Sequence, residues 1–217
     1  MPKSLNVWGQ TKHWEEACVN TRRSLAQRER RLKLFHIKKT DRVLDLGCGD
    51  GLNIKILVQK GIKNLVGADI SKVLLEEAKR LNPKAKFYLA SAEKLPFKGN
   101  SFEIVLVDSV FHHLMAFKPC LKEIKRVLAS GGKLCFIEPH KSILRELYDF
   151  VSELPLAKYV PVLKERSVSY LGEKKFMKHW LRNENRFYKI LKDLDFKEIV
   201  KKKDILSIIG TYEKPRS

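Results

Sequence analysis

A chain of 217 residues fits one α/β domain with added elements and folds without covalent staples, because a chain this long buries roughly 70% of its unfolded surface. A hydrophobic fraction of 44% with 11 glycines is ordinary for a globular protein and excludes a low-complexity or collagen-like polymer. The net charge of +19 is the unusual property: it favours nucleic acid, anionic lipid or acidic partners, although a Lys-rich solvated surface accounts for it equally well.

In chain order, residues 1–42 read as a polar helical arm, the most basic part of the chain, with Trp8 and Trp14 among its cations. Val43-Leu44-Asp45-Leu46 is a short apolar strand that runs into a glycine cluster, and Asn53 to Lys60 then has helical character. Asn64 to Asp69 is a second strand. Ser71 is the expected N-cap of a helix from Lys72 to Leu81, stopped before Pro83. Ala85 to Ala90 and Phe102 to Asp108 are the third and fourth strands. Phe117 to Leu128 reads as a helix ended by Gly131-Gly132, and Lys133 to Glu138 as a fifth strand. Residues 141–194 are expected to be helical, broken at Pro155 and Pro161. Phe196 to Lys201 and Ile205 to Tyr212 form two strands joined by a turn around Lys203-Asp204, which predicts an antiparallel pair at a sheet edge.

Short strands alternating with helices imply right-handed βαβ units and a parallel sheet covered on both faces. The organisation that follows has four parts: an N-terminal arm over 1–42, a ligand-binding core over 43–140, a helical cap insertion over 141–194 and a closing strand pair over 195–217. The cysteines Cys18, Cys48, Cys120 and Cys135 form no C-x-x-C pair, which argues against a disulfide framework or a zinc site and for free thiols in a reducing compartment. Met1 to Trp14 has no apolar signal core, and no apolar run approaches the roughly 20 residues of a membrane span. The expected location is cytoplasmic, and no metal is expected.

The strongest motif is Val43-Leu44-Asp45-Leu46-Gly47-Cys48-Gly49-Asp50-Gly51, a strand feeding a glycine turn that opens a helix. Glycines allow the turn and a close ligand approach. A dinucleotide fold would use G-x-G-x-x-G. Here the third glycine falls one position early. Asp45 and Asp50 would repel a pyrophosphate but suit a cationic ligand such as the ammonium and sulfonium of S-adenosylmethionine. Asp50 also suits a simple helix N-cap. Asp69, 24 residues after Asp45, ends the second strand where a carboxylate can accept both hydroxyls of a ribose.

Further segments follow in order: Ser91-Ala92-Glu93-Lys94-Leu95-Pro96-Phe97, Asn100-Ser101-Phe102-Glu103-Ile104-Val105, Val110-Phe111-His112-His113-Leu114, the run Leu121 to Leu128, Gly131-Gly132 and Glu138-Pro139. Together, over residues 41–140, they resemble the class I S-adenosylmethionine-dependent methyltransferases, in particular the type 11, UbiE-like group. The resemblance implies a Rossmann-like sheet, mostly parallel with an antiparallel C-terminal edge pair, carrying a helical N-terminal arm and a helical insertion before the last two strands. It implies that Asp45, Gly47, Cys48, Gly49 and Asp50 hold the methionine end of S-adenosyl-L-methionine. It further places Asp69 on the ribose, Ile70 on the adenine, and Ser91, Ala92 and Glu93 around the adenine. Asp108 and Ser109 would lie beside the methyl group, and Arg22 or Arg23 would meet the cofactor carboxylate.

Methyl transfer needs a general base only when the acceptor must lose a proton. His112 and His113, just after the fourth strand, are the candidates; the alternative is that they shape the pocket. Three functions are consistent with these features. The first is methyl transfer to a small or lipid-like acceptor seated between the core and the flanks. The second is transfer to RNA or protein, contacted through Arg28-Glu29-Arg30-Arg31-Leu32-Lys33. The third is a non-catalytic cofactor-binding domain. No Asp/Asn-Pro-Pro-aromatic group follows the fourth strand, so one common route of nucleic-acid base methylation loses support.

Overall fold

The computed structural model describes residues 25–154, 159 and 161–216, with the side chains of 148 and 161–172 left aside. The first described helix is α1 (Leu25–Lys33). It is followed by β1 (Val43–Leu46), α2 (Leu52–Gln59), β2 (Leu65–Asp69), α3 (Lys72–Leu81), β3 (Lys86–Leu89) and β4 (Phe102–Asp108). A 3-10 turn at Phe111–His113 leads to α4 (Phe117–Val127), β5 (Leu128–Pro139), α5 (Ile143–Glu153), α6 (Pro161–Asp193), β6 (Lys197–Lys203) and β7 (Ser207–Glu213).

The strands form one sheet in the order β3-β2-β1-β4-β5-β7-β6. The first five are parallel, and β7 runs antiparallel to both β5 and β6. The order reverses between β1 and β4, so the carboxyl ends of those strands flank the crevice where such sheets bind ligands. Side chains that alternate along each strand feed two cores. Leu44, Leu46, Val105, Val107, Leu134 and Phe136 join one, with Leu121 and Ile124 of α4 and Trp180 and Phe187 of α6. Val43, Ile104, Leu106, Cys135 and Ile137 join the other, under Leu32 of α1 and Ile54 and Leu57 of α2.

The Ser71 N-cap is present, its Oγ accepting the Leu74 amide at 3.2 Å. The closing turn is also present, with Asp204 Oδ1 accepting the Leu206 and Ser207 amides. The glycine pair acts differently from the expectation. The helix stops at Val127, and Leu128 already pairs with Phe102. Gly131, at φ 70°, and Gly132 then lie inside β5, where the pairing slips so that Lys133 meets Ile104. The glycines bend a strand that is starting rather than ending a helix, because Leu128 is wholly buried against the sheet. Pro161 opens α6 as its first residue, where its missing N–H costs nothing; Pro155 lies outside the described residues.

Trp180 is fully buried, and its indole N–H donates to the Pro139 carbonyl at 2.7 Å. It fastens α6 to the end of β5 and faces the rings of Phe117 and Phe187, so it is a core residue rather than part of an open cap wall. Trp8 and Trp14 lie outside the described residues, as do Arg22 and Arg23.

Candidate functional site: an acid-lined crevice at the strand ends

The turn after β1 holds three left-handed glycines, Gly47 at φ 71°, Gly49 at 51° and Gly51 at 78°. Two of them are packed in. A Cβ on Gly47 would run into Val110, and one on Gly51 would lie 2.7 Å from Asn82 Nδ2 and 3.0 Å from Ala78. Gly49 differs, because its Cβ would meet only Leu74 Cδ1 at 4.0 Å. Its bare backbone therefore borders open space. The Cys48 side chain turns the other way, into the core beside Ile54 and Leu75. Burial and the neighbouring Asp45 carboxylate push its thiol well above the usual range.

Asp45 is 1% exposed, and neither carboxylate oxygen has a hydrogen-bond partner of good geometry among the described residues, although Asn53 lies close enough to favour its charged form. Burial first, then the charge of Asp108, raises its pKa to about 7, with Arg28 and Asn53 opposing. A buried carboxylate without well-placed donors is costly. A cationic ligand at the glycine turn would relieve that cost. Asp50 sits at the mouth of the turn, its Oδ1 3.4 Å from the Leu52 amide, while Gly51 occupies the N-cap position of α2.

Asp69 at the tip of β2 is also buried. Its Oδ2 accepts the Gly49 amide and its Oδ1 the Ser71 amide, both at 2.8 Å. These bonds fix the carboxylate against the glycine turn. Ile70 follows, half-buried. Ser91, Ala92 and Glu93, also half-buried, form a tight turn just after β3, with Ser91 Oγ accepting the Glu93 amide at 3.2 Å.

At the end of β4, Asp108 Oδ2 is 3.1 Å from Arg28 Nη1 and 3.5 Å from Asn53 Nδ2, and Arg28 also donates to Asn53 Oδ1 at 3.2 Å. Ser109 adopts φ 64° and donates through Oγ to Asp108 Oδ1. A left-handed serine here is strained backbone at the strand end. The sequence reading missed Arg28 and Asn53. Arg28 stood in a basic run read as a nucleic-acid contact. Its position one turn before the buried Leu32, on the same face of α1 that packs on α2, was the available signal.

The His112-His113 pair lies beyond this strand end. Glu138, buried at the end of β5, receives the amides of Val110 at 2.7 Å and Phe111 at 2.6 Å on Oε1, and His112 Nδ1 at 2.7 Å on Oε2. One carboxylate thereby caps the 3-10 turn and sets the imidazole. His112 Nε2 is 3.7 Å from Glu173 of α6. Burial works against charging His112, but Glu138 and then Glu173 outweigh it and raise its pKa to about 9. His113, its ring centroid 3.9 Å from that of His112 and tilted by 40°, is held at about 3 by burial and by the His112 charge. Neither is poised near neutrality for proton transfer. Glu138 had a visible signal, an acid at the end of an otherwise apolar strand; Glu173 had none.

A nucleotide-type crevice whose turn is lined by carboxylates rather than built for phosphates defines a Rossmann-like domain for a cationic nucleoside ligand. Comparison with known proteins agrees. Residues 44–136 match the model of a methyltransferase domain. The chain is 31% identical over 190 residues to an uncharacterized protein of Methanocaldococcus jannaschii, covering 85% of this chain and 68% of that one. It is 31% identical over 114 residues to a ubiquinone/menaquinone biosynthesis C-methyltransferase of Campylobacter jejuni, covering 50% and 48%. Its fold superposes on a SAM-dependent methyltransferase from Aquifex aeolicus with a TM-score of 0.62 at 18% identity, over 87% of this chain and 89% of that one. The chain belongs to the S-adenosylmethionine-dependent methyltransferase family, whose cofactor is S-adenosylmethionine. It spans about half the length of the first curated relatives it matches, from 41% to 48%. No described helix is long and apolar enough to cross a membrane.

Proposed function

We propose that the chain transfers a methyl group from S-adenosylmethionine to a small or lipid-like acceptor. The observation that carries the reading is the Asp45 carboxylate, buried and without a well-placed donor beside the open face of Gly49. The residues fit the cofactor. Asp45, Gly47, Cys48 (through its backbone), Gly49 and Asp50 would surround its cationic methionine end. Asp69 would take the ribose hydroxyls, with Ile70, Ser91, Ala92 and Glu93 around the adenine. When bound, the cofactor supplies an electrophilic methyl on a positively charged sulfur, and the protein aligns it and excludes water. Asp108 and Ser109 would face the methyl, with Arg28 holding Asp108 in place. His112 and His113 would shape the acceptor side rather than take a proton, since the carboxylates beside His112 raise its pKa to about 9 and burial lowers that of His113 to about 3.

The acceptor would enter between the core and the flanks 1–42 and 141–194. A quinone-like acceptor in a UbiE-like grouping is the finer form of this reading, supported by the name of the Campylobacter relative. A cytoplasmic location belongs to the same proposal and is supported by the free buried thiols Cys48, Cys120 and Cys135. Transfer to RNA or protein is less supported, because Arg28 and Arg31 of the basic run turn toward Asp108 and Ser207. Thermal stabilisation by S-adenosylmethionine or its demethylated product, with NAD as control, tests the cofactor. Labelled methyl transfer to extracted lipids, then to RNA, tests the acceptor. Stabilisation by NAD alone would sink the reading, and cofactor binding with no transfer to any acceptor would leave a non-catalytic domain.

A further inference from the structure

The cluster beyond β4 has a geometry that proton transfer does not use. Glu138 fixes the His112 ring through Nδ1 at 2.7 Å, which leaves Nε2 directed toward Glu173 at 3.7 Å. Ligating histidines are typically held this way, with the far nitrogen on a carboxylate. The His113 ring lies against the same ring, centroids 3.9 Å apart and tilted by 40°. One ligand atom each from His112, His113 and Glu173 lies within 4.8 Å of the other two.

We propose that His112, His113 and Glu173 form a binding site for a transition-metal dication, with Glu138 as the carboxylate that orients His112. In a tetrahedral site with bonds near 2.1 Å, ligand atoms stand about 3.4 Å apart. The His112–Glu173 separation is already close to that, and the two separations that involve His113 would need to close by at most about 1.4 Å, on the bond lengths of such sites. Two imidazoles and a carboxylate select zinc or ferrous iron over magnesium or calcium, which prefer oxygen ligands throughout. Three protein ligands leave a position open, as in catalytic rather than structural sites.

Charge points the same way. The Glu138 and Glu173 side chains are 0% and 12% exposed, so two carboxylates face one imidazole largely out of water. Under the methyltransferase reading, the open position would hold an acceptor oxygen or sulfur and lower its pKa. That role rests on the proposed function; the site itself does not.

The test is metal binding by the chelator-treated full chain, without cofactor. Cobalt(II) is titrated by its visible d–d absorption, and zinc then displaces it. One ion per chain is expected, at micromolar affinity. Glu173→Gln and His113→Gln should each weaken binding at least about tenfold, with metal-free melting temperatures close to the parent's. His36→Asn, at an exposed turn position remote from the cluster, should bind like the parent. Absence of binding below millimolar cobalt, or unchanged binding in both cluster variants, would overturn the site and leave His112 as an ion-pair centre between two carboxylates. Because the readout needs no methyl transfer, failure of the site and failure of the proposed reaction remain distinguishable.

Discussion

Asp45→Asn should stabilise the cofactor-free protein at alkaline pH and weaken cofactor binding. The Asp45 carboxyl is raised from 3.8 to about 7, chiefly by burial and then by Asp108. Unfolded, it titrates near its ordinary value. Between these pH values only the native state keeps the proton, so stability falls as pH rises from about 4 to 7 and levels off above. Three units at 1.36 kcal/mol each amount to about 4 kcal/mol of cost at pH 8. Asparagine removes the charge but brings an amide that wants partners, so the expected gain is about 1–3 kcal/mol at pH 8, shrinking toward zero near pH 4. Urea unfolding of both proteins from pH 4.5 to 8 measures it. In the same variant, affinity for S-adenosylmethionine should drop at least about tenfold, the equivalent of 1.4 kcal/mol, because the cation loses its counter-charge. A stability difference that does not change with pH would refute the reasoning about Asp45, whatever happens to the cofactor.

Gly47→Ala forces a left-handed alanine into Val110 and should cost about 2–4 kcal/mol in urea unfolding. Gly49→Ala meets open space, so it should cost only about 1–2 kcal/mol while sharply reducing cofactor affinity in calorimetry; equal stability losses in the two variants would count against Gly49 bordering the ligand. Glu138→Gln leaves His112 and two amides with a poorer acceptor and should destabilise by about 3–5 kcal/mol, as for one partner removed from a buried pair. Trp180→Ala should cost about 3–5 kcal/mol in the same assay; a loss below 1 kcal/mol would place the indole outside the core.

The two kinds of residue at this site differ in how they can be read. Asp45, Gly47, Gly49 and Asp69 are fixed by local rules: a strand of period two, a turn that only glycine fits, an acid at a strand tip. Those constraints act over a few residues, so they are visible in the sequence, and the parallel sheet follows from their repetition. Arg28, Glu138 and Glu173 reach the site by tertiary packing. Arg28 bonds Asp108 across 80 positions, and its basic neighbours suggested a contact for RNA or protein instead. Glu138 and the His112 turn are 26 residues apart and meet because β4 and β5 are adjacent in the sheet. Glu173 arrives because Trp180 and Phe187, seven and fourteen residues further along α6, anchor that helix on the sheet. That spacing keeps all three on nearly one helix face, since seven residues make almost two turns. The burial of Trp180 therefore does more than fill a core: it fixes which acid of α6 meets the histidines. Loosening that anchor should impair metal binding at His112, His113 and Glu173 before it impairs the glycine turn, which is held separately by Asp69.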